Sequence, residues 1–173
     1  MPDKQTIFTS FMPAEKAAPG EVERQNRLIS GIPVLPQVLN GILGSSLILN
    51  EQRQAVFISL SLAAFLTEHE LPLKLGFRPG NLFGCLHSAE SEGGCGTTEA
   101  CRHCGSAGVV HDALEKTDSV QECRILSSKS GGAGLEPNSI RLLSERYLKG
   151  RVACTVDVSG TLFTAEFPSL QPL

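Results

Sequence analysis

The stretch from Gly84 to Gly105, Gly-Cys-Leu-His-Ser-Ala-Glu-Ser-Glu-Gly-Gly-Cys-Gly-Thr-Thr-Glu-Ala-Cys-Arg-His-Cys-Gly, holds four of the six cysteines of a 173-residue chain. A segment with so many glycines and so few apolar residues cannot order itself by burial, and thiols at this density are seldom there for packing. Four agents could organise it: a metal ion, an iron–sulfur cluster, disulfides, or thiol redox chemistry.

The remainder of the chain supplies a core. Its length suits one domain with a possible arm, and 41% of residues are hydrophobic, enough to bury a real interior. With eight Phe, one Tyr and no Trp, that interior must be mainly Leu, Ile, Val and Ala. A net charge of −3 and the lack of a basic run argue against nucleic-acid binding through phosphate neutralisation. No apolar run approaches the roughly 20 residues of a membrane-spanning helix. The first ten residues do not read as a secretory signal. A cytoplasmic location is therefore expected, where thiols stay reduced and a compact cysteine array is metal-binding or redox-active rather than a disulfide frame.

Residues 1–20, with Pro2, Pro13, Pro19 and Gly20, read as a flexible N-terminal arm. Residues 21–43 read as two short helices broken near Gly31–Pro36, because proline is costly inside a helix. Ser46–Asn50 and Ala55–Ser59 around the polar Glu51-Gln-Arg-Gln54 read as a hairpin. A short helix is expected from Leu60 to Glu70, a loop from Leu71 to Phe83, and an amphipathic helix from Ser106 to about Lys116. Strands are expected at Glu122–Leu126, at Ser139–Leu148 and Arg151–Val158 turning at Lys149-Gly150, and at Thr161–Phe167, with a flexible connection over 127–138. The order is two strands, helices, then further strands: an α+β antiparallel sheet.

The motifs resemble those of PAS sensor domains, closest to the cysteine-rich sensor region of predicted bacterial sensor histidine kinases. The matching residues are Ile48-Leu-Asn-Glu-Gln-Arg-Gln54, Arg78-Pro-Gly-Asn-Leu-Phe-Gly-Cys-Leu-His87, Gly93-Gly-Cys-Gly-Thr-Thr-Glu-Ala-Cys-Arg-His-Cys-Gly105 and Glu122-Cys-Arg-Ile125. The resemblance spans about residues 36–158. It implies a PAS-like five-stranded antiparallel sheet over 44–167, with short helices on one side and a cysteine-rich loop at 84–105. It departs at Ile58-Ser-Leu-Ser-Leu62, where the family tends to carry an Asn. The kinase portion is absent, so a sensor role is implied and phosphoryl transfer is not.

Cys101-Arg-His-Cys104 has the two-residue gap that lets two thiolates from one turn address one ion. Cys95 lies six residues upstream of Cys101, and Cys85 ten further. Cys85, Cys95, Cys101 and Cys104 form the candidate ligand set. Zn(II) comes first, an iron–sulfur cluster second, and metal-free thiol–disulfide switching third. His87, His103 and Cys123 are possible alternates, while Cys154 reads as core. His111 would be the haem ligand in a haem-binding PAS protein. Its polar setting argues against that role, and Gly105 after Cys104 excludes c-type haem attachment.

No catalytic residue is assigned. The Gly-x-Ser-x-Gly, His-Glu-x-x-His and phosphate-loop signatures are missing, and Gly131-Gly-Ala-Gly134 lacks a lysine. Glu92 or Glu99 could act as a base at an open zinc. The expected function is a sensory or regulatory domain working through a protein partner such as a kinase, with a possible homodimer through the N-terminal helix. The alternatives are a small thiol-redox or zinc-dependent enzyme, or a purely structural interaction module.

Overall fold

A computed structural model of the chain describes residues 7–41, 45–115, 119–126, 147–157 and 160–166, the last three ranges as backbone strands without their side chains. Helix α1 (Pro19–Ser30) starts with proline in its first turn and an Arg24–Glu21 ion pair, and closes at Gly31; proline at that position removes only an N–H that would have no helical partner. Val34, at φ +69°, sits in the break before α2 (Leu35–Gly41), where Pro33 and Pro36 were expected to interrupt the helical pattern.

Strands β1 (Ser45–Leu49) and β2 (Ala55–Ile58) pair antiparallel. Their turn is locked by Asn50, whose backbone carbonyl accepts from Arg53 N (2.8 Å) and whose side chain accepts from Gln54 N (2.9 Å). Arg53 lies at φ +65°, a left-handed position that glycine usually takes. Helix α3 (Leu60–Glu68) is capped by Ser59. Its hydroxyl accepts from Leu62 N (3.3 Å) and from Ser46 N (2.9 Å), so one side chain ties the helix start to β1.

Helix α4 (Pro79–Leu82) lies within the segment expected to be a loop, and α5 (Gly105–Leu114) follows the cysteines directly. The core gathers Leu47, Leu49 and Ala55 from the hairpin, Leu62 and Leu66 from α3, Leu82 and Phe83 at α4, and Val109, Val110 and Ala113 from α5. Each buried leucine contributes about 1.5–3 kcal/mol relative to exposure.

Among the residues whose side chains are described, the sheet has two antiparallel strands and is accompanied by five helices, an α+β mixture. The expected PAS-like body, in which a five-stranded sheet with helices on one side carries the core, is corrected for these residues: two strands carry it. The described core is built on the β1–β2 hairpin and closed by helices, because the apolar side chains of α3, α4 and α5 converge on those two strands. The backbone of β3 (Ser119–Leu126), β4 (Tyr147–Asp157) and β5 (Gly160–Glu166) continues the ladder in the order β2-β1-β5-β4-β3.

A second correction concerns Lys149-Gly150, expected to be a turn. Both lie inside β4, opposite Arg124 and Cys123 of β3, so the ladder hydrogen bonds of a long strand override a local turn signal. The chain reverses instead between Asp157 and Gly160. The expected connection over 127–138 lies outside the described residues, as does Ser139 with its neighbours up to residue 146.

The arm expected over residues 1–20 is corrected for its described part, residues 7–20. Ser10 N donates to Thr97 O (2.8 Å) and Met12 N to Gly96 O (2.9 Å), so residues 10–12 are paired with the cysteine loop. Met12 is buried against Cys101 and Ala107. Helix α1 is packed on the hairpin: Val22 is buried, and Asn26 Nδ2 donates to Val56 O on β2 (2.7 Å).

Candidate metal centre

Each candidate cysteine is held by a separate device. Cys85 follows α4, with its N–H donating back to Gly80 O at 2.7 Å. Cys95 Sγ accepts from Gly80 N at 3.2 Å, and a Cβ on residue 80 would stand 2.7 Å from that sulfur. Only glycine fits there. Cys101 lies in a short 3-10 turn, Glu99–His103, in a segment expected to lack regular structure. Its Sγ accepts from Gly96 N (3.3 Å) and lies 3.2 Å from Thr98 Oγ1. Gly96 is at φ +89°, and a Cβ there would meet Met12 Cε at 2.9 Å and Arg53 Nε at 3.3 Å. Cys104 stands at the N-cap of α5, its backbone carbonyl accepting from Gly108 N at 2.8 Å.

All four are free thiols, and together with His87 and His103 they line one cavity of about 170 Å³. Sulfur is a weak acceptor as a thiol and a much better one as a thiolate. Amide donors aimed at Cys95 and Cys101 therefore suit the deprotonated, metal-ligating form. Among the described residues, however, no group of three or more His, Cys, Asp or Glu side chains is already arranged to hold a metal ion. The structure brings the four cysteines to one cavity without closing them into a ligand array.

Burial shapes the thiol chemistry. Cys95 is pushed up to about 12, first by burial and then by the neighbouring cysteines, against a partial offset from the Gly80 amide. Burial likewise raises Cys85. Such thiols are poor nucleophiles at neutral pH, because the thiolate is the reactive form.

Two arginines missed by sequence reasoning stand behind the cavity. Arg78 is 1% exposed and donates to five backbone carbonyls: Gln52 O (3.1 Å), Gly93 O (2.9 Å), Cys95 O (3.3 Å), Ala14 O (3.1 Å) and Glu15 O (2.6 Å). It thereby joins the hairpin turn, the cysteine loop and the N-terminal segment. Arg53 is 4% exposed and donates to Pro13 O, while its Nε is buried without a partner among the described residues. Both belong to motifs quoted for the family resemblance, yet nothing local marks them as buried, since arginine is ordinarily a surface residue.

The remaining candidates separate clearly. His87 Nδ1 lies 2.7 Å from Glu90 Oε1, the arrangement that leaves the other ring nitrogen for a ligand. His103 is exposed at the cavity mouth. His111 stacks on Phe11 at 5.4 Å, so its ring faces the N-terminal segment. Glu99 is turned outward onto Arg102 at 3.0 Å, and Glu92 is exposed. Cys123 and Cys154 fall on β3 and β4, and their side chains lie outside the described residues, as does Gly131–Gly134.

No family model, no curated protein and no solved structure matches this chain. Among the described residues, no helix is long and apolar enough to cross a membrane.

Proposed function

We propose that this chain is a regulatory signal-transduction domain whose Cys85–Cys104 loop is organised by one metal ion, Zn(II) in the first place, held by the thiolates of Cys85, Cys95, Cys101 and Cys104. The observation that carries this reading is the convergence of four free cysteines, Cys85, Cys95 and the Cys101–Cys104 turn, on a single cavity. The donor set, the glycine cradle at Gly80 and the amide donors to sulfur all suit a thiolate site. Zinc is favoured because closed sets of four thiolates are a common structural zinc site.

The loop has little apolar surface, so metal binding would supply folding energy directly. Because the four thiols are not preassembled, ion binding draws the loop together, and that movement is the regulatory event. Cys104 caps α5, and Val109, Val110 and Ala113 of α5 lie in the core. A change at the cysteines therefore reaches the interior within the first two turns of α5. The sensor assignment also rests on the motif resemblance, with a separate signalling protein such as a kinase as the receiver. A role for Cys85 or Cys95 as a redox nucleophile is disfavoured because burial raises both.

The test is hydrogen exchange on the chain with and without Zn(II). Protection gained over residues 84–105 and into α5 supports the reading. Identical exchange in both states overturns it.

A further inference from the structure

Burying a guanidinium without an anion is costly, and proteins normally place a carboxylate beside it. Arg53 and Arg78 are both buried, and among the described residues neither forms an ion pair. Among the described residues, Arg78 has only carbonyl oxygens as acceptors and Arg53 Nε has none. The two cations also repel each other.

An external anion does not fit between them. The cavity bounded by Met12, Arg53, Arg78 and Cys95 has a volume of about 10 Å³, space for at most one water molecule and too little for an oxyanion. What does lie beside the arginines is the cysteine loop. Arg78 Nη1 reaches Cys95 O, and a Cβ on Gly96, between Cys95 and the Cys101 turn, would meet Arg53 Nε. The chain also holds Arg53 at φ +65°, a strained position for a non-glycine residue and one that tends to persist where the side chain is needed.

We infer that Arg53 and Arg78 are the counter-charge of the cysteine centre. Four thiolates around one divalent cation carry a net charge of −2, and two guanidiniums carry +2. Binding converts four thiols and one M²⁺ into the tetrathiolate complex and four released protons, so the buried unit becomes neutral overall. Replacing one thiolate by a neutral imidazole from His87 or His103 would give −1 and leave one guanidinium unmatched. The arginines therefore act as positioning residues that select four sulfur ligands. This inference rests on the metal reading above.

The experiment titrates the reduced, metal-free full chain with Co(II), read by its visible tetrathiolate spectrum, and with Zn(II) against a chromophoric chelator. Arg53→Met, which keeps bulk and removes charge, should weaken zinc binding about 10–100-fold, the usual effect of losing a supporting group around a metal site. Arg53→Lys, which keeps the charge, should restore most of the affinity, a difference that packing alone would not produce. If Arg53→Met does not fold, Arg53→Gly removes the charge while relieving the positive φ. Wild-type affinity in a folded neutral variant overturns the inference, as does equal loss in the Lys and Met variants. A wild-type chain that binds neither ion instead overturns the metal reading, and the counter-charge with it.

Discussion

Gly80 and Cys95 are built against each other. The Gly80 amide donates to Cys95 Sγ at 3.2 Å, and a Cβ on residue 80 would meet that sulfur at 2.7 Å and Cys95 Cβ at 3.0 Å. Gly80→Ala should therefore displace Cys95 and cost about 1–3 kcal/mol, the usual penalty for overpacking. Denaturant melting checks the stability, and zinc stoichiometry checks the site. Unchanged values in both would show that the loop yields freely at this contact.

The four cysteines are expected to act as a unit. Serine at Cys85, Cys95, Cys101 or Cys104 should each abolish stoichiometric zinc binding, while His103→Ala should leave it intact because His103 is exposed at the cavity mouth. His87→Ala distinguishes the alternate donor: retained stoichiometry assigns the ion to sulfur alone. Cys101→Ser should increase hydrogen exchange over 85–105 and leave β1 and β2 protected.

The metal-free chain should lose stability in alkali. Cys95 is raised from 9.0 to about 12 in the folded state, so the fold binds this proton more tightly than the unfolded chain does. That contribution is fully present below about pH 9 and is lost as pH rises toward 12. Cys85 acts in the same direction. Denaturation midpoints at pH 8, 9.5 and 10.5 should fall in that order. Zinc affinity should move oppositely at low pH, weakening as protons compete for the thiolates.

Met12 seals the site from the N-terminal side. It is 4% exposed and packs on Cys101 and Ala107. Met12→Ala should cost about 2–5 kcal/mol and should speed zinc loss to a chelator. A stopped-flow chelation assay reads the rate, and wild-type kinetics would mean that the segment over the cysteine loop does not control access.

What the sequence discloses here is local. The β1–β2 hairpin, α3 and α5 are legible because apolar spacing and flanking polar residues act over a few positions. Cys101-Arg-His-Cys104 is legible for the same reason. Residues 10–15 are not, because Met12 and Pro13 find their partners at Gly96, Cys101 and Arg53, far along the chain. Arg78 is opaque for a related reason: its burial depends on five carbonyls from three distant segments. Arg78-Pro79 did carry a usable sign, since proline suits the first turn of a helix such as α4. Lys149-Gly150 misled in the opposite direction, as a turn-like pair held straight by the β3 ladder.

Metal analysis with a visible spectrum and a thiol count, on the full chain purified without oxygen, tests the four-thiolate metal site directly. A zinc tetrathiolate gives a colourless protein with one zinc per chain and four thiols shielded until a chelator is added. A brown protein with broad visible absorption would replace zinc by an iron–sulfur cluster. A metal-free protein whose Cys85, Cys95, Cys101 and Cys104 react freely with a thiol probe would rule the metal site out.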